Sequence, residues 1–365
     1  MNPLRRRPPL AVFTLIAVLV LAGCGSSEEQ TAKEAALEKY GPVPEPAEAP
    51  ELSEEPTGQV IEIGSGAEGI IVDSKTGLAA VGIEFPPSLK LIDARTLKTE
   101  RVISLPAHPR HLRIAGPGGP VLVPSEDADE LIEVSLPDGQ TRATGVGSFP
   151  HDAVEAPNGR IFVGDEMSDE ISVVEDGKVI DTLPTAIQPG NVVYADGRVA
   201  AVAVTERKIT TYDPESLEPT GQLDAGVGPT HAGVVDDRVF VIDTQGDQII
   251  EYDLAPELKQ VGTTKLEGTP YGVASDEERG RLWVALTEEN TAVEFDVTKS
   301  GLREIDRFPT VQQANTIAVD PRDGAALIVS RTDPALLERM SHRQTAGTPQ
   351  GRTPLADEDL TGGHH

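Results

Sequence analysis

Polar residues able to do chemistry recur along this 365-residue chain at a nearly constant interval. Glu68, Arg110-His111, His151-Asp152, Asn191, His231, Tyr271 and Asn315 each stand one or two residues after an alanine or proline. Those markers are Ala67, Pro109, Pro150, Pro189, Pro229, Pro270 and Ala314, spaced by 42, 41, 39, 40, 41 and 44 residues. Three of the seven histidines fall in this set. Neutral imidazoles and carboxylates around one open position ligate a divalent cation, which polarises a carbonyl or acidifies a bound water. Glu68, Asp152, Asn191 and His231 are the expected ligand set for calcium or magnesium. Arg110 in the same set suits an anionic ligand instead. The plainer alternative is a wet rim, where polar side chains cap strand ends and meet water.

These residues share a site only if the repeat folds so that distant segments converge. Each unit of about 40 residues holds four strand-like runs. A short run such as Thr316–Asp320 is followed by a turn, here Pro321-Arg322-Asp323-Gly324. A very apolar run follows, exemplified by Ile161-Phe162-Val163 and Leu282-Trp283-Val284. An acidic or polar loop leads to an alternating third run such as Ile249–Asp253, and a more polar fourth run ends the unit. The continuous second run predicts a strand buried on both faces; the third predicts a half-exposed one. Val, Ile and Thr dominate and Gly or Asp-Gly interrupts often, which excludes a helical repeat. Seven such units predict an all-β, seven-bladed β-propeller over residues 58–340. The seventh unit lacks its outer strand, and Gly58–Ile63 matches that strand, so the N-terminal strand is expected to complete the last blade and remove two free edges. In such a ring the marked residues sit at the mouth of a central channel.

Other features read as architecture. Trp283 lies in a core strand. Gly116-Pro117-Gly118-Gly119 joins two strands and forms a turn. The acidic stretches 125–130 and 165–170 lack the spacing of a dedicated calcium loop and read as solvated loops. No Gly-x-Ser-x-Gly elbow is present.

The ends of the chain carry an address. Arg5-Arg6-Arg7 precedes an apolar run, Leu10–Leu21, too short to span a bilayer, and Leu21-Ala22-Gly23-Cys24 closes it. Residues 1–23 are expected to be a cleaved export signal, and the single cysteine, Cys24, resembles the acylated residue of the bacterial lipobox. Residues 25–57 contain nine glutamates, two lysines and five prolines, so 24–57 is expected to be a disordered tether, with a transient helix over Thr31–Tyr40. Residues 341–365 are expected to be a disordered tail. The formal charge is −29 and deepens by three when the signal's arginines are removed. Such a polyanion repels nucleic acid, so none is expected as a partner. One cysteine excludes an internal disulfide. The chain is expected to be an extracytoplasmic monomer anchored by lipid to the outer face of the cytoplasmic membrane, or to the outer membrane of a two-membrane cell.

The repeat, with its Val-Asp-Pro-x-x-Gly turn at Val319–Gly324 and its apolar second strand, resembles the YVTN/YncE-like bacterial propellers across 58–340. It is also similar to NHL-type propellers and to virginiamycin B lyase. The resemblance implies the fold and leaves function open, because these families include enzymes and binding proteins. A recognition platform for a protein, peptide or small ligand is the expected role. The alternative is a metal-dependent lactonase or lyase at the channel mouth. Gluconolactonase-type propellers, usually six-bladed, hold a metal with Glu and Asn or Asp side chains, parts that Glu68 and Asn191 could play, but His231 stands where an Asp is expected. His231 matches the lyase histidine, while Tyr271-Gly272 departs from the acidic and basic pair that should follow it.

Overall fold

In a computed structural model of the chain, residues 27–341 are described. The expected export signal, Cys24 and the expected tail after Ser341 lie outside them. Seven four-stranded antiparallel blades surround a central channel. Blades 3 to 6 run from innermost to outermost strand in chain order, as in blade 4: Pro189–Ala195, Arg198–Ala203, Lys208–Tyr212, Pro219–Asp224. The 14-residue strand Gln59–Val72 serves two blades. Gln59–Gly64 pairs with Ala335–Arg339 as the outermost strand of blade 7, and Ser65–Val72 pairs with Leu78–Phe85 as the innermost strand of blade 1. The ring is therefore closed by the N-terminal strand.

The core is a ring of seven clusters among the described residues, each shared by two adjacent blades. One joins Leu122 and Leu131 of blade 2 to Ala153, Ile161 and Val163 of blade 3. Another joins Val202 and Ile209 of blade 4 to Val241 and Tyr252 of blade 5. Fully burying each Leu, Ile or Val contributes about 1.5–3 kcal/mol before chain entropy is subtracted. Every blade therefore depends on both neighbours. This also corrects the expected half-exposed third strand: Glu170–Glu175 is buried from Ile171 to Val174, because each face of a blade is covered by the next sheet. Only the outermost strands, such as Thr99–Ser104, are solvated. Trp283 is buried and stacks on Phe308 at 5.5 Å, as expected of a core residue.

The acidic loops are not simply solvated. Asp129, Asp169, Asp247 and Asn290 follow the second strand of their blades in the left-handed region. Each accepts a hydrogen bond from the backbone N–H of Phe149, Gln188, Thr269 or Gln313 respectively. Those four residues are themselves left-handed and immediately precede the innermost strand of the next blade. Asn and Asp tolerate this conformation best among side-chain-bearing residues. The loops thus latch blade to blade and fix where each channel-lining segment begins.

The expected disordered tether is a correction over its described part. Ser27–Tyr40 is a helix, tied to blade 3 by Lys33, which donates to the Met167 carbonyl and pairs with Asp169. Residues 41–57 then run extended across the face of the ring that carries the channel mouth, hydrogen-bonded to blades 6 and 7. Prolines that prevent a helix or a sheet ladder do not prevent side chains of the propeller from binding the free carbonyls.

Candidate functional site

Each innermost strand starts with an irregular pairing that turns the next side chains toward the axis. Register shifts occur between Pro189 and Asn191, Pro229 and His231, and Ala314 and Thr316. Blade 2 goes furthest: its innermost strand is only Arg113–Ile114, so Arg110, His111 and Leu112 lie outside the regular ladder. Gly69 of blade 1 lies beside them at φ +80°, where a Cβ would fall 2.2 Å from the Arg110 carbonyl oxygen. Only glycine allows that approach.

The sequence-marked residues separate into two levels and a supporting layer. Arg110, His111, His151, His231 and Tyr271 line a half-open chamber of about 260 Å³ at the mouth. His111 stacks on His151 at 4.8 Å between ring centres. His231 meets His111 edge-on at 4.7 Å and Tyr271 at 4.4 Å, so four rings form one continuous wall. Below them, Asp152 and Asn191 face Arg113, which reaches across the channel. Arg113 donates two hydrogen bonds to Asp152, at 3.2 and 3.0 Å, one to Asn191 Oδ1 and one to the Ala232 carbonyl of blade 5. Asp152 also accepts the backbone N–H of Val192, and Asn191 Oδ1 that of Ala232. Arg113 lines a second cavity of about 150 Å³, which His111 and His231 share from above. Glu68 and Asn315 line neither cavity. Glu68 is buried behind Arg110 and pairs with it at 2.9 Å and with Arg331 at 3.2 Å, while Asn315 accepts from Gln313.

The expected calcium or magnesium set of Glu68, Asp152, Asn191 and His231 is therefore not assembled. Guanidinium groups already occupy the oxygens of the first three, and the four side chains stand on different levels. Among the described residues, the His/Asp/Glu set that converges is Glu126, His151 and Glu166, whose ligand atoms lie within 4.8 Å of one another. Glu126 and Glu166 were missed because they sit in the acidic loops. A signal existed. The residue 15–17 positions after each marker is Glu84, Glu126, Glu166, Thr205, Thr244, Thr287 or Arg331, polar in all seven units. These form an outer ring around the inner one, with acids on blades 1–3 and threonines on blades 4–6. Arg113 carried no comparable signal, since it lies past the marked positions.

Hydrogen bonding fixes the protonation pattern. His151 Nδ1 is 2.8 Å from Glu166 Oε2, and its Nε2 is 3.3 Å from the Arg110 guanidinium. A carboxylate only accepts, so Nδ1 carries a proton and donates to Glu166. Burial raises the Glu166 carboxyl, but the charge and hydrogen bond of His151, with Gln188 at 2.7 Å and Arg110, outweigh it and hold the pKa at about 2. Glu126 is raised by burial against the pull of Arg110, His151 and His108. His111 is driven well below the imidazole range by burial and by the neighbouring His231, His151 and arginines. His231 falls to about 3 for the same reasons, burial first and then His151, Arg110 and Arg113. It is therefore neutral at every physiological pH, and both of its ring nitrogens are buried without a partner in the protein.

Asp165, beside Glu166, supplies a pH prediction. It is fully buried, accepts from the Ser172 N–H and hydroxyl, and titrates at about 7 because burial, reinforced by Glu170, outweighs those bonds. A folded pKa above the unfolded 3.8 means that the native state binds the proton more tightly. Stability from this group is thus present below about pH 4 and lost as pH rises to about 7. Urea midpoints measured across that window should show a falling component that Asp165→Asn removes; an unchanged slope in the variant would refute the assignment.

Comparison with known proteins agrees on the fold. No known family profile matches the chain. It is 28% identical over 240 residues to protein NirF of Stutzerimonas stutzeri, covering 62% of this chain and 54% of the relative. The chain thus spans about half the length of that curated relative. A chain of Kuenenia stuttgartiensis hydrazine synthase superposes with a TM-score of 0.63 at 14% identity, over 77% of this chain and 97% of that one. A streptogramin B lyase structure gives 0.62 at 14%, over 78% and 97%. The β-propeller domain of Myceliophteria thermophila Cps50 (Swd1) gives 0.64 at 12%, over 76% and 98%. At these identities the solved structures speak to the fold alone.

Proposed function

We propose that this chain is a lipid-anchored extracytoplasmic binding protein that takes a small ligand into the chamber at its channel mouth. The observation that carries the reading is His231. A neutral imidazole, 6% exposed, with both nitrogens unpartnered, loses hydrogen bonds that water would have supplied. It is satisfied when a ligand brings one donor and one acceptor to it. The Tyr271 ring beside it and the His111–His151 stack supply flat apolar faces, while Arg110 and Glu126 pair with each other and Glu166 is held by His151 and Gln188. That combination of aromatic wall and few fixed polar groups is what small-molecule sites use. The chamber volume limits the ligand to a compact polar molecule with a flat face. The lipid at Cys24 would hold the propeller at the membrane, as the lipobox-like segment implies.

Mass spectrometry under native conditions on the chain purified from its own membranes tests this. The wild-type chain should retain a small molecule that His231→Ala releases at least about tenfold more readily, the factor expected for losing contacts of about 1.4 kcal/mol. A wild-type chain that retains none, and shows no thermal shift with any of a panel of compact heterocycles, amines and carboxylates, would overturn the reading.

The convergence of Glu126, His151 and Glu166 favours a second reading, a metal-assisted lactonase or lyase. One imidazole and two carboxylates suit a first-row transition ion better than calcium or magnesium. Those residues would hold the ion, which would supply Lewis acidity; Arg110 would have to leave Glu126. One divalent ion per chain by elemental analysis, lost in Glu166→Gln and kept in His231→Ala, would favour this reading over the first.

A further inference from the structure

The chamber is roofed by the chain's own leader. After the helix, the Tyr40 carbonyl accepts from Arg207 of blade 4. Val43, Pro44 and Glu45 then line the chamber together with His231 and Tyr271. The strap is moored again on blades 6 and 7. Gln313 grips it with both ends of its amide: Nε2 donates to the Ala47 carbonyl at 2.9 Å, and Oε1 accepts the Ala49 N–H at 2.9 Å. Gln312 donates to the Ala49 and Pro50 carbonyls, and Asn290 donates to Pro50. Thr287 accepts the Ala47 N–H.

The kind of mooring matters. A β-ladder would make the strap part of the cooperative sheet. Here Pro42, Pro44, Pro46 and Pro50 remove alternate donors, and every bond to residues 47–50 comes from a propeller side chain. Side-chain moorings on an exposed face open far more readily than a buried ladder. The arrangement is nevertheless built: Gln313 is held in the left-handed region, with its N–H on Asn290, so that its amide meets the strap as a strand would. The strap also precedes the first strand of the ring. A pull from an anchor at Cys24 would load the helix moorings first, Lys33 on blade 3 and Tyr40 on Arg207 of blade 4, and then residues 41–57.

We propose that residues 43–50 are an intrachain gate that closes the chamber and opens it when Gln312, Gln313 and Asn290 release the strap. The proposal rests on the chamber being the binding site and assigns its regulation: ligand entry and the position of the membrane-side leader are coupled. Glu45 is part of the closed state, and its charge is felt at Tyr271, whose hydroxyl is raised by burial and by the carboxylates of Glu68 and Glu45.

The test uses the full chain and its Gln312→Ala/Gln313→Ala variant, neither position being a chamber residue. Amide hydrogen exchange at Ala47 and Ala49 reports release of the strap. Carbethoxylation of His231 by diethyl pyrocarbonate, followed by mass spectrometry, reports access to the chamber, with His108 as the internal reference. Both rates should rise about tenfold or more in the variant while His108 is unchanged. Fast exchange with an unchanged His231 rate would show that the strap does not close the chamber. Unchanged exchange would show that the glutamines do not hold it. Either result overturns the gate. Both readouts are taken on chain freed of any retained small molecule, because a ligand on His231 would shield its nitrogens, so failure of the binding reading is seen separately.

Discussion

Arg113→Met should be the most damaging single substitution on the channel axis, lowering stability by about 3–5 kcal/mol. Asp152 is fully buried and its charge is balanced by the Arg113 guanidinium through two hydrogen bonds. Methionine fills much of the same volume and leaves the carboxylate uncompensated inside the ring. The arginine also ties blade 2 to blades 3, 4 and 5 at once, through Asp152, Asn191 and Ala232. The remaining donors to Asp152, the N–H groups of Val192 and Ala153, solvate a negative charge only partly. Urea unfolding with a shared m-value should report the loss. Arg113→Met/Asp152→Asn should recover more than half of it, because the neutral amide removes the unpaired charge. A loss below about 1 kcal/mol in the single variant would show that the bridge is no more than a surface pair.

The second large effect is expected at the seam. Glu338 lies in the third strand of blade 7, fully buried. It accepts from the Gly58 N–H at 2.6 Å, the Thr310 hydroxyl at 2.5 Å and the Val311 N–H at 3.1 Å. One carboxylate thus holds the end of the closing strand and the segment that enters blade 7. Glu338→Leu should cost about 3–6 kcal/mol, the desolvation of three orphaned donors. Glu338→Gln keeps an acceptor and should cost about 1–2 kcal/mol. Amide exchange should show protection lost first over Gln59–Gly64, since opening the seam frees the outer strand before any blade core. Uniform loss of protection around the ring would contradict a local seam. Gly58 cannot be replaced there either, because a Cβ would lie 2.4 Å from the Arg339 carbonyl oxygen.

Legibility in the sequence followed physical range. The seven blades could be read because strand burial and turn chemistry are local and repeat every 40 residues or so. Closure by Gly58–Ile63 could be read because one unit lacked a strand that another segment matched. The half-exposed third strand was misread because alternation in one strand does not reveal that both faces of its sheet are covered. The leader was misread for a related reason. Its composition reports the cost of ordering it alone, and says nothing of Gln312, Gln313 and Asn290 waiting more than 200 residues away.

The chemistry divides in the same way. The inner ring, Arg110, His111, His151, His231 and Tyr271, follows from periodicity, since equal spacing on a closed ring means equal radius. Which partners those side chains choose does not follow. Asp152 and Asn191 look like metal ligands until Arg113 is seen to fill the space between them. Glu126 and Glu166 look like solvated loop acids until the latches at Asp129 and Asp169 turn them over the mouth. The sequence by itself determined the ring, its count and the residues nearest its axis, because these depend on local burial repeated at fixed spacing. Only the tertiary structure decided which charges are neutralised, which imidazole is left free and what roofs the chamber, because those depend on contacts between blades, where a few ångströms choose between a salt bridge and an open ligand.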